Sequence, residues 1–204
     1  MKKIVICNVP MRKTEERYIY KSGDLSLSSS DRSVIYPINA FLENHLESQD
    51  EIKVILLVKR DLQGHYKQNI TEYIDELMSV NVVNANIDYK MIETDYSEDQ
   101  SVHEKLMASI VDEIDDESRI FCDITYGPKD LPIVLFAALN FAEKFLHCEI
   151  ENILYGQATF IDGNPTNTKL CDLVPLYYLN SVANTIRCDN SQKARELLKD
   201  LLSL

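Results

Sequence analysis

The sequence predicts an α/β fold, with a Rossmann-like, mostly parallel sheet, helices on both faces and short C-terminal helices. Three observations support this prediction. Short apolar, β-branched runs alternate along the chain with longer segments of helical periodicity. Runs such as KIVICN and IKVILLV hold few polar residues, which is typical of strands covered on both faces. Apolar residues make up 45% of the 204 positions, enough for a buried core.

The first half of the chain predicts alternating strands and helices around one long loop. Residues 3–8 are apolar and β-branched and predict the first strand. Residues 9–32 contain prolines, glycine and a serine run, and predict a long loop with room for a short irregular hairpin. Loops of this length are often functional. The next predicted elements are a helix at 36–48, a strand at 52–58 and a helix at 65–79.

The second half continues the same alternation. Apolar runs predict strands at 86–92, 119–125 and 150–155. Apolar stripes at helical spacing predict the helices between them, at 99–115 and 130–147. Because such alternation builds a parallel sheet, we expect a ligand outside the carboxyl ends of the strands.

The last part of the chain predicts a small helical extension. Residues 170–172 predict a short edge strand, and helices at 174–187 and 190–203 follow it. We therefore divide the chain into a domain at 1–172 and a helical extension at 173–204.

Charge and composition restrict the possible partners. A net charge of -12 argues against duplex DNA or RNA, because a face that follows a duplex is normally basic. Six of the 21 basic residues fall in the first 21 positions, so a small anionic ligand in a locally basic pocket remains compatible. The chain has no GxGxxG and no GxxxxGK[ST], so we expect no nucleotide cofactor.

The cysteines and the apolar runs predict the cellular setting. The five cysteines form no CxxC pair and the four histidines are scattered, which indicates reduced thiols and no metal site. The N-terminal apolar run is too short for a signal peptide, and no stretch approaches the ~20 apolar residues that span a membrane. We therefore expect a cytoplasmic protein with no membrane partner.

The most informative segment is FCDITYGPKDLPIVLF. A buried strand ends at Thr125, and Gly127 and Pro128 turn the chain into a helix. Lys129 is predicted to be exposed at the turn, with Asp130 as the N-cap. Free N–H groups in the first turn of a helix favour an anion. The segment therefore predicts an anion site that has no phosphate-binding loop of the usual kind.

A purely structural interpretation of this segment is equally compatible with the residues. The turn could simply connect a strand to a helix, with no ligand. Asp123 is interpreted as a brace that accepts backbone hydrogen bonds at the turn, rather than as a catalytic group. The loop that begins at Asn8 is expected to face the same crevice.

The segment DITYG–PK–DLP resembles the signature of one large branch of the CRISPR-associated Rossmann fold (CARF) family. In that branch a strand ends in Asp-hydrophobic-Thr-His-Gly, followed by a basic residue and Leu-Pro. The segments ENILYG and CDLVPLYYLN look similar too, and the resemblance covers residues 118–204. The chain differs from the branch at three places: Tyr126 for His, Pro128-Lys129 for an aromatic-Arg pair, and Asp130 for a small hydroxyl residue.

The resemblance implies a standalone CARF protein of type III CRISPR antiviral defence. Such proteins are often ring nucleases, which destroy a cyclic oligoadenylate signal. The implied ligand is cyclic tetra-adenylate first and cyclic hexa-adenylate second, held between the two copies of a homodimer. Attack of each ribose 2′-OH on its own 3′-phosphate would cleave the ring without metal, with the protein supplying position and charge.

The resemblance and the turn together select the candidate site residues. Lys129 is the candidate for phosphate stabilisation and Asn8 for orientation, and these two are the predicted catalytic residues. The predicted ligand-binding residues are Arg12, Thr125, Tyr126, Gly127, Pro128 and Asp130. We predict no metal and no cofactor at this site.

Two other functions remain open at this level. The domain could sense the same ligand without cleaving it and act on a partner effector. It could also regulate transcription through its C-terminal helices, although their mixed charge disfavours this. Arg60 and His65 have the Arg-x4-His spacing of the ribonuclease domains in some CARF proteins. They follow a predicted strand, so we interpret that spacing as coincidence.

Overall fold

A mostly parallel β-sheet organises the larger of two compact units, Met1–Asp172 and Leu173–Leu204. The computed structural model describes residues 2–23, 27–162 and 164–202, without the side chains of Asn164 and Thr185. The strands are β1 Lys2–Asn8, β2 Lys21–Ser22, β3 Glu51–Arg60, β4 Asn86–Asp95, β5 Arg119–Asp123, β6 Glu149–Ile161 and β7 Asn164–Asp172.

Within the described residues the sheet has seven strands in the order β2-β7-β6-β5-β1-β3-β4. Neighbouring strands pair in parallel, except β6 and β7, which are antiparallel. The central strands β1, β3 and β5 are buried along most of their length, as expected for strands covered on both faces. The predicted α/β fold class is therefore confirmed.

Four helices of the larger unit cover the two faces of the sheet. They are α1 Pro37–Leu42, α2 His65–Val80, α3 Gln100–Asp112 and α4 Asp130–Phe145. Helix α1 packs on α2, and α3 packs on α4. The chain winds outward from β1 to β3 and β4, then returns beside β1 and winds outward through β5 and β6. This reversal between β1 and β5 is the switch point at which open α/β sheets bind ligands.

The smaller unit contains two helices, α5 Val174–Thr185 and α6 Ser191–Leu202. Pro175 lies in the first turn of α5, where its missing N–H has no helical partner to lose. Asn190 caps α6, because its Oδ1 accepts hydrogen bonds from the backbone N–H groups of Gln192 and Lys193 at 2.9 and 3.0 Å. Of the helices that the structure describes, none has the length and apolar content needed to cross a membrane.

The antiparallel hairpin of β6 and β7 is longer than the sequence predicts. We expected strands at 150–155 and 170–172, whereas the two strands pair from Leu154–Asp172 to Ile161–Asn164. The extra residues include QAT and NTK, which lack an alternating apolar pattern. Their strand conformation comes from cross-strand hydrogen bonds, which a single-sequence pattern does not reveal.

The first helix is shorter than predicted. We expected it to cover 36–48, but it ends at Leu42. The His45 ring stacks on Phe41 at 3.8 Å between centroids, and its Nδ1 lies 2.7 Å from the Phe41 carbonyl oxygen. The backbone N–H of His45 instead bonds to Leu42 at 2.9 Å. In a continuing helix the Phe41 carbonyl oxygen would accept a hydrogen bond from the His45 backbone N–H. Here the His45 side chain lies at that oxygen instead.

A buried carboxylate from α2 supports the start of α1. Glu76 accepts hydrogen bonds from the backbone N–H groups of Ile35 and Tyr36 at 2.7 and 2.9 Å, and from Asn39 Nδ2 at 3.0 Å. Arg17 lies 2.8 Å from the same carboxylate and balances its charge. Because the N–H groups at a helix start have no internal acceptor, this arrangement connects α2, α1 and the N-terminal loop.

Candidate functional site

A cleft opens at the carboxyl ends of the strands, at the switch point between β1 and β5. It has a volume of about 480 Å³. Its walls come from the loop after β1, from the residue after β4 and from the turn after β5. The lining residues are Pro10, Met11, Arg12, Thr14, Tyr96, Thr125, Tyr126, Gly127 and Pro128. Five of the eight predicted site residues therefore meet in one cleft.

The turn at Gly127 has a conformation that favours glycine. Its φ is 88°, in the left-handed region. A Cβ at this position would lie 2.9 Å from Cδ1 of Leu131, which is closer than side chains pack. Gly127 is exposed, so its backbone forms an accessible wall of the cleft.

Asp123 and Thr125, at the end of β5 and just after it, hold the turn in place. Asp123 is buried, and its carboxylate accepts hydrogen bonds from Thr125 N–H at 2.8 Å and from Ile38 N–H, in α1, at 3.1 Å. Burial raises the pKa of Asp123, and the hydrogen bonds from Thr125 and Ile38 offset part of that shift. The prediction that Asp123 braces the turn through backbone hydrogen bonds is confirmed.

Thr125 connects the turn to the neighbouring strand. Its Oγ1 accepts a hydrogen bond from Gly156 N–H in β6 at 2.8 Å. A Cβ at position 156 would lie 2.3 Å from Cγ of Pro37, so only glycine allows α1 to approach β6 this closely. The position of Thr125 therefore depends on contacts with β6 as well as on its own strand.

Tyr126 contributes a ring to the cleft, with its hydroxyl directed into the protein. The hydroxyl donates to the Ile35 carbonyl oxygen at 2.8 Å, and the ring meets Tyr36 edge-on at 5.7 Å between centroids. Burial raises the pKa of Tyr126, and nearby Tyr20 and Asp123 raise it further. Tyr126 can therefore offer an aromatic surface to a ligand, but its hydroxyl already donates its hydrogen bond within the protein.

Asn8 lies directly behind the turn rather than on the cleft surface. It ends β1, is fully buried, and its Cβ lies 3.4 Å from the position that a Gly127 Cβ would occupy. Neither its Oδ1 nor its Nδ2 has a hydrogen-bond partner among the described residues. Buried amides are almost always paired, so an unpaired one is unusual.

The cationic groups beside the cleft are Arg12 and Lys129. Both side chains are exposed, and within the part of the chain that the structure describes neither forms an ion pair. Lys129 follows Pro128 directly in the chain, but it is not among the described residues that line the cleft. Arg12 therefore supplies the positive charge of the cleft wall, although the whole chain carries a charge of -12.

Asn69 positions the loop that carries Arg12, and sequence reasoning missed it. This buried residue of α2 donates from Nδ2 to the carbonyl oxygens of Pro10 and Arg12 at 2.7 and 2.9 Å. Its Oδ1 accepts from Thr14 Oγ1 at 3.2 Å. Asn69 lies four residues before Tyr73, which belongs to the apolar stripe predicted for this helix. A polar amide on the buried face of the helix was therefore the signal available in the sequence.

The predicted N-cap role of Asp130 is wrong. The helix begins at Asp130 itself, with Lys129 at the N-cap position and no side-chain capping bond. The Asp130 carboxylate turns instead toward β3 and α3, where it lies 2.8 Å from Nζ of Lys59 and 3.2 Å from Nε2 of His103. The attraction of the fully buried Lys59 ammonium group outweighs a capping bond here.

Asp130 also belongs to a group with metal-ligating atoms. Glu98, His103 and Asp130 place one such atom each within 4.8 Å of one another. The Lys59 ammonium group already contributes a positive charge to this cluster, and its Nζ also donates to the Ser97 carbonyl oxygen at 3.0 Å. The cluster is therefore best described as an ion-pair network that joins β3, α3 and α4.

A second cleft adjoins the first at the carboxyl ends of β3 and β4. It has a volume of about 620 Å³. The two clefts share Met11, Arg12 and Tyr96. The second cleft is also lined by Arg60, Asp61, Leu62, Gln63, His65 and Asp95. We did not predict a binding surface here. Arg60 and His65, whose Arg-x4-His spacing we interpreted as coincidence, both line this cleft.

Comparison with known proteins does not assign the chain to a family. No known family model matches the chain, and no curated protein sequence matches it.

Proposed function

We propose that the cleft at the Gly127 turn binds a cyclic oligoadenylate, with cyclic tetra-adenylate first and cyclic hexa-adenylate second. In this proposal the chain is a CARF-type ring nuclease of type III CRISPR defence, which cleaves the ring without metal. The single observation that carries the proposal is the assembly of Arg12, Thr125, Tyr126, Gly127 and Pro128 around one cleft at the switch point.

The chemistry of the cleft supports a phosphorylated nucleotide. Arg12 and Lys129 supply positive charge for phosphates, and the exposed Gly127 turn lets phosphate oxygens approach the backbone. The Tyr126 ring supplies an aromatic surface against which a base can pack. Asp130 is assigned a supporting role, because its carboxylate is occupied by Lys59 and His103.

The unpaired Asn8 amide supports the same assignment. It lies behind Gly127, next to the cleft but covered by the turn. A small movement of the turn on ligand binding would bring its Nδ2 within reach of a phosphate or ribose oxygen. A buried amide without hydrogen-bond partners lowers the stability of the fold, and such destabilising residues are often found at functional sites.

The proposed reaction uses the ligand's own hydroxyl as nucleophile and the protein's cations to stabilise charge. The ribose 2′-oxygen forms a bond to the adjacent phosphorus as the bond from phosphorus to the 5′-oxygen breaks. The product is a 2′,3′-cyclic phosphate. The 2′-hydroxyl loses its proton to solvent or to a base in the cleft, and the leaving 5′-oxygen takes up a proton from water. Lys129 and Arg12 stabilise the negative charge on the non-bridging oxygens.

A homodimer would place two such clefts around one ring. Helix α4 begins at the Gly127 turn, and it leaves Ile133, Ala137, Phe141 and Phe145 exposed at a spacing of four residues. That spacing forms one apolar stripe. If a second copy packs on this stripe about a two-fold axis parallel to α4, both turns lie at the same end of the dimer.

The proposal is tested with purified protein, cyclic tetra-adenylate and EDTA. We expect tight binding and formation of linear di-adenylate with a 2′,3′-cyclic phosphate end. Lys129→Ala and Arg12→Ala should each weaken binding or cleavage at least tenfold, as expected for the loss of a charged contact worth about 1.4 kcal/mol or more. Lys105→Ala removes an exposed lysine of α3 and is the matched control.

The competing function is a sensor that binds the same ring and passes the signal to a partner effector. Tight binding with intact ligand would favour the sensor over the nuclease. Absence of binding to both cyclic tetra-adenylate and cyclic hexa-adenylate would refute the proposal in either form. Unchanged behaviour of Lys129→Ala and Arg12→Ala would refute the assignment of the site.

A further inference from the structure

The second cleft is not used by the proposed function, yet it adjoins the first. Met11, Arg12 and Tyr96 line both. A ligand held at the Gly127 turn therefore needs to pass only these three residues to reach the ends of β3 and β4. With volumes of about 480 and 620 Å³, each cleft is within the size range of a small-molecule site.

The second cleft combines cations with an aromatic wall. Arg60 pairs with Asp95 at 2.5 Å, and both side chains are largely exposed. Such a surface pair contributes little stability, so a phosphate can replace the carboxylate as partner of the guanidinium group. Arg12 stands between the two clefts and is unpaired within the described residues. Tyr96 is 63% exposed and offers its ring to either side.

A histidine that lines this cleft lies near a fixed carboxylate. His65 begins α2, and its Nδ1 lies 3.7 Å from Oδ1 of Asp61, which is longer than a hydrogen bond. Asp61 is itself fixed by the backbone N–H groups of Gln63, His65 and Tyr66, at 2.8, 3.3 and 3.2 Å. Neutral imidazole has one ring nitrogen without a proton, so His65 offers a proton acceptor to the cleft.

We infer that the second cleft is a phosphodiester subsite in which His65 acts as general base for cleavage of a ribonucleotide. The inference rests on the proposed function and adds a catalytic residue to it. The ribose 2′-hydroxyl gives its proton to the unprotonated ring nitrogen of His65 as the 2′-oxygen bonds to phosphorus. The bond from phosphorus to the 5′-oxygen breaks, and the leaving oxygen takes a proton from water. Arg12 and Arg60 stabilise the charge on the non-bridging oxygens.

The test is a single-turnover cleavage assay with cyclic tetra-adenylate and, separately, with a short linear oligoadenylate, both in EDTA. A positioned general base contributes about 100-fold or more, so His65→Gln should slow cleavage by at least that factor. Its Kd for the ring should change less than about threefold, because the cations remain. His147→Asn is the control: it changes an exposed histidine at the opposite end of α4, at a φ of 56° that asparagine tolerates.

Chemical rescue gives a second readout that a structural role would not move. Imidazole added to His65→Ala should restore part of the cleavage rate, because it can replace the missing side chain as proton acceptor. Imidazole should not change the rate of the wild type or of the control variant.

The outcomes separate this inference from the proposed function. Full cleavage by His65→Gln would overturn the inference and leave ring binding and cleavage at the Gly127 turn intact. Wild-type binding of the ring without cleavage of either substrate would also overturn it, and would favour the sensor. If the ring does not bind, the proposed function fails. The linear oligoadenylate then tests the role of His65 separately: cleavage that His65→Gln abolishes supports that role, and cleavage that is absent or unaffected overturns it.

Discussion

Nζ of Lys59 lies 2.8 Å from Oδ2 of Asp130, and the lysine side chain is fully buried. This ion pair connects the end of β3 to the first residue of α4, directly beside the Gly127 turn. Asp130→Asn should therefore leave a buried, unbalanced ammonium group and lower the free energy of unfolding by about 3 kcal/mol. Urea denaturation monitored by circular dichroism measures the change.

A double variant provides the control for that pair. Lys59→Met combined with Asp130→Asn removes both charges, so it should be more stable than Asp130→Asn alone. If the two substitutions are simply additive, the pair does not stabilise the fold in the way described.

Gly127→Ala should destabilise the turn and weaken ligand binding. Alanine must adopt a φ of 88° and place its Cβ 2.9 Å from Leu131, whereas Gly64→Ala has a φ of 73° and nothing within 4 Å. Both variants should lose about 1 kcal/mol to backbone strain, and Gly127→Ala should lose more because of the contact. Thermal denaturation and calorimetric titration compare them. Equal stability losses would show that Leu131 adapts without cost.

Asn8→Leu should stabilise the protein while impairing the site. Leucine has the same branching as asparagine, and it removes two buried polar atoms that lack partners. We expect a gain of about 1 kcal/mol in the free energy of unfolding, together with weaker ligand binding or slower cleavage. A loss of stability with full activity would contradict both parts of the assignment.

Asp123 should give the protein a distinctive dependence on pH. Burial raises the pKa of Asp123, so the folded protein holds the proton more tightly than the unfolded chain. Its contribution to stability is therefore greatest at low pH and is lost as the pH rises from about 3.8 through the raised folded pKa. The difference in unfolding free energy between the wild type and Asp123→Asn should fall across that window.

Asp61 provides a control of opposite sign. Burial alone would raise the pKa of Asp61, but backbone hydrogen bonds from the start of α2, Tyr66 foremost, lower it overall. Its contribution is present above the unfolded value of 3.8 and is lost as the pH falls through the lowered folded pKa. Relative to Asp61→Asn, the wild type should therefore gain stability as the pH rises. The same slope for both aspartates would contradict the two assignments.

Ile133→Glu should disrupt the proposed homodimer. Ile133 is 72% exposed on the apolar stripe of α4, so a charge there would be buried only if a second copy covers the stripe. Sedimentation velocity should show a shift from dimer to monomer. Met78→Glu makes a similar change on the exposed side of α2 and should leave the dimer intact. A monomeric wild type, or a dimer unaffected by Ile133→Glu, would remove α4 as the interface.

The sequence by itself determined the fold class and one wall of the cleft. Apolar β-branched runs that alternate with helical patterns are typical of a parallel sheet covered on both faces, so KIVICN, IKVILLV and RIFCDIT predicted the central strands. The close spacing of Thr125, Gly127 and Pro128 after such a strand likewise predicted a turn at the carboxyl edge. These features depend on neighbours along the chain, which is why pattern alone was sufficient.

Only the tertiary structure decided which distant side chains meet. It directed Asp130 toward Lys59 rather than toward its own helix, ended α1 at the Phe41–His45 contact, and extended β6 and β7 through cross-strand pairing. It also joined the Gly127 cleft to the one at His65 through Arg12 and Tyr96. Apart from the local Phe41–His45 contact, these outcomes depend on contacts between residues that are separated in sequence, and the strength of those contacts is set by burial that exists only after folding.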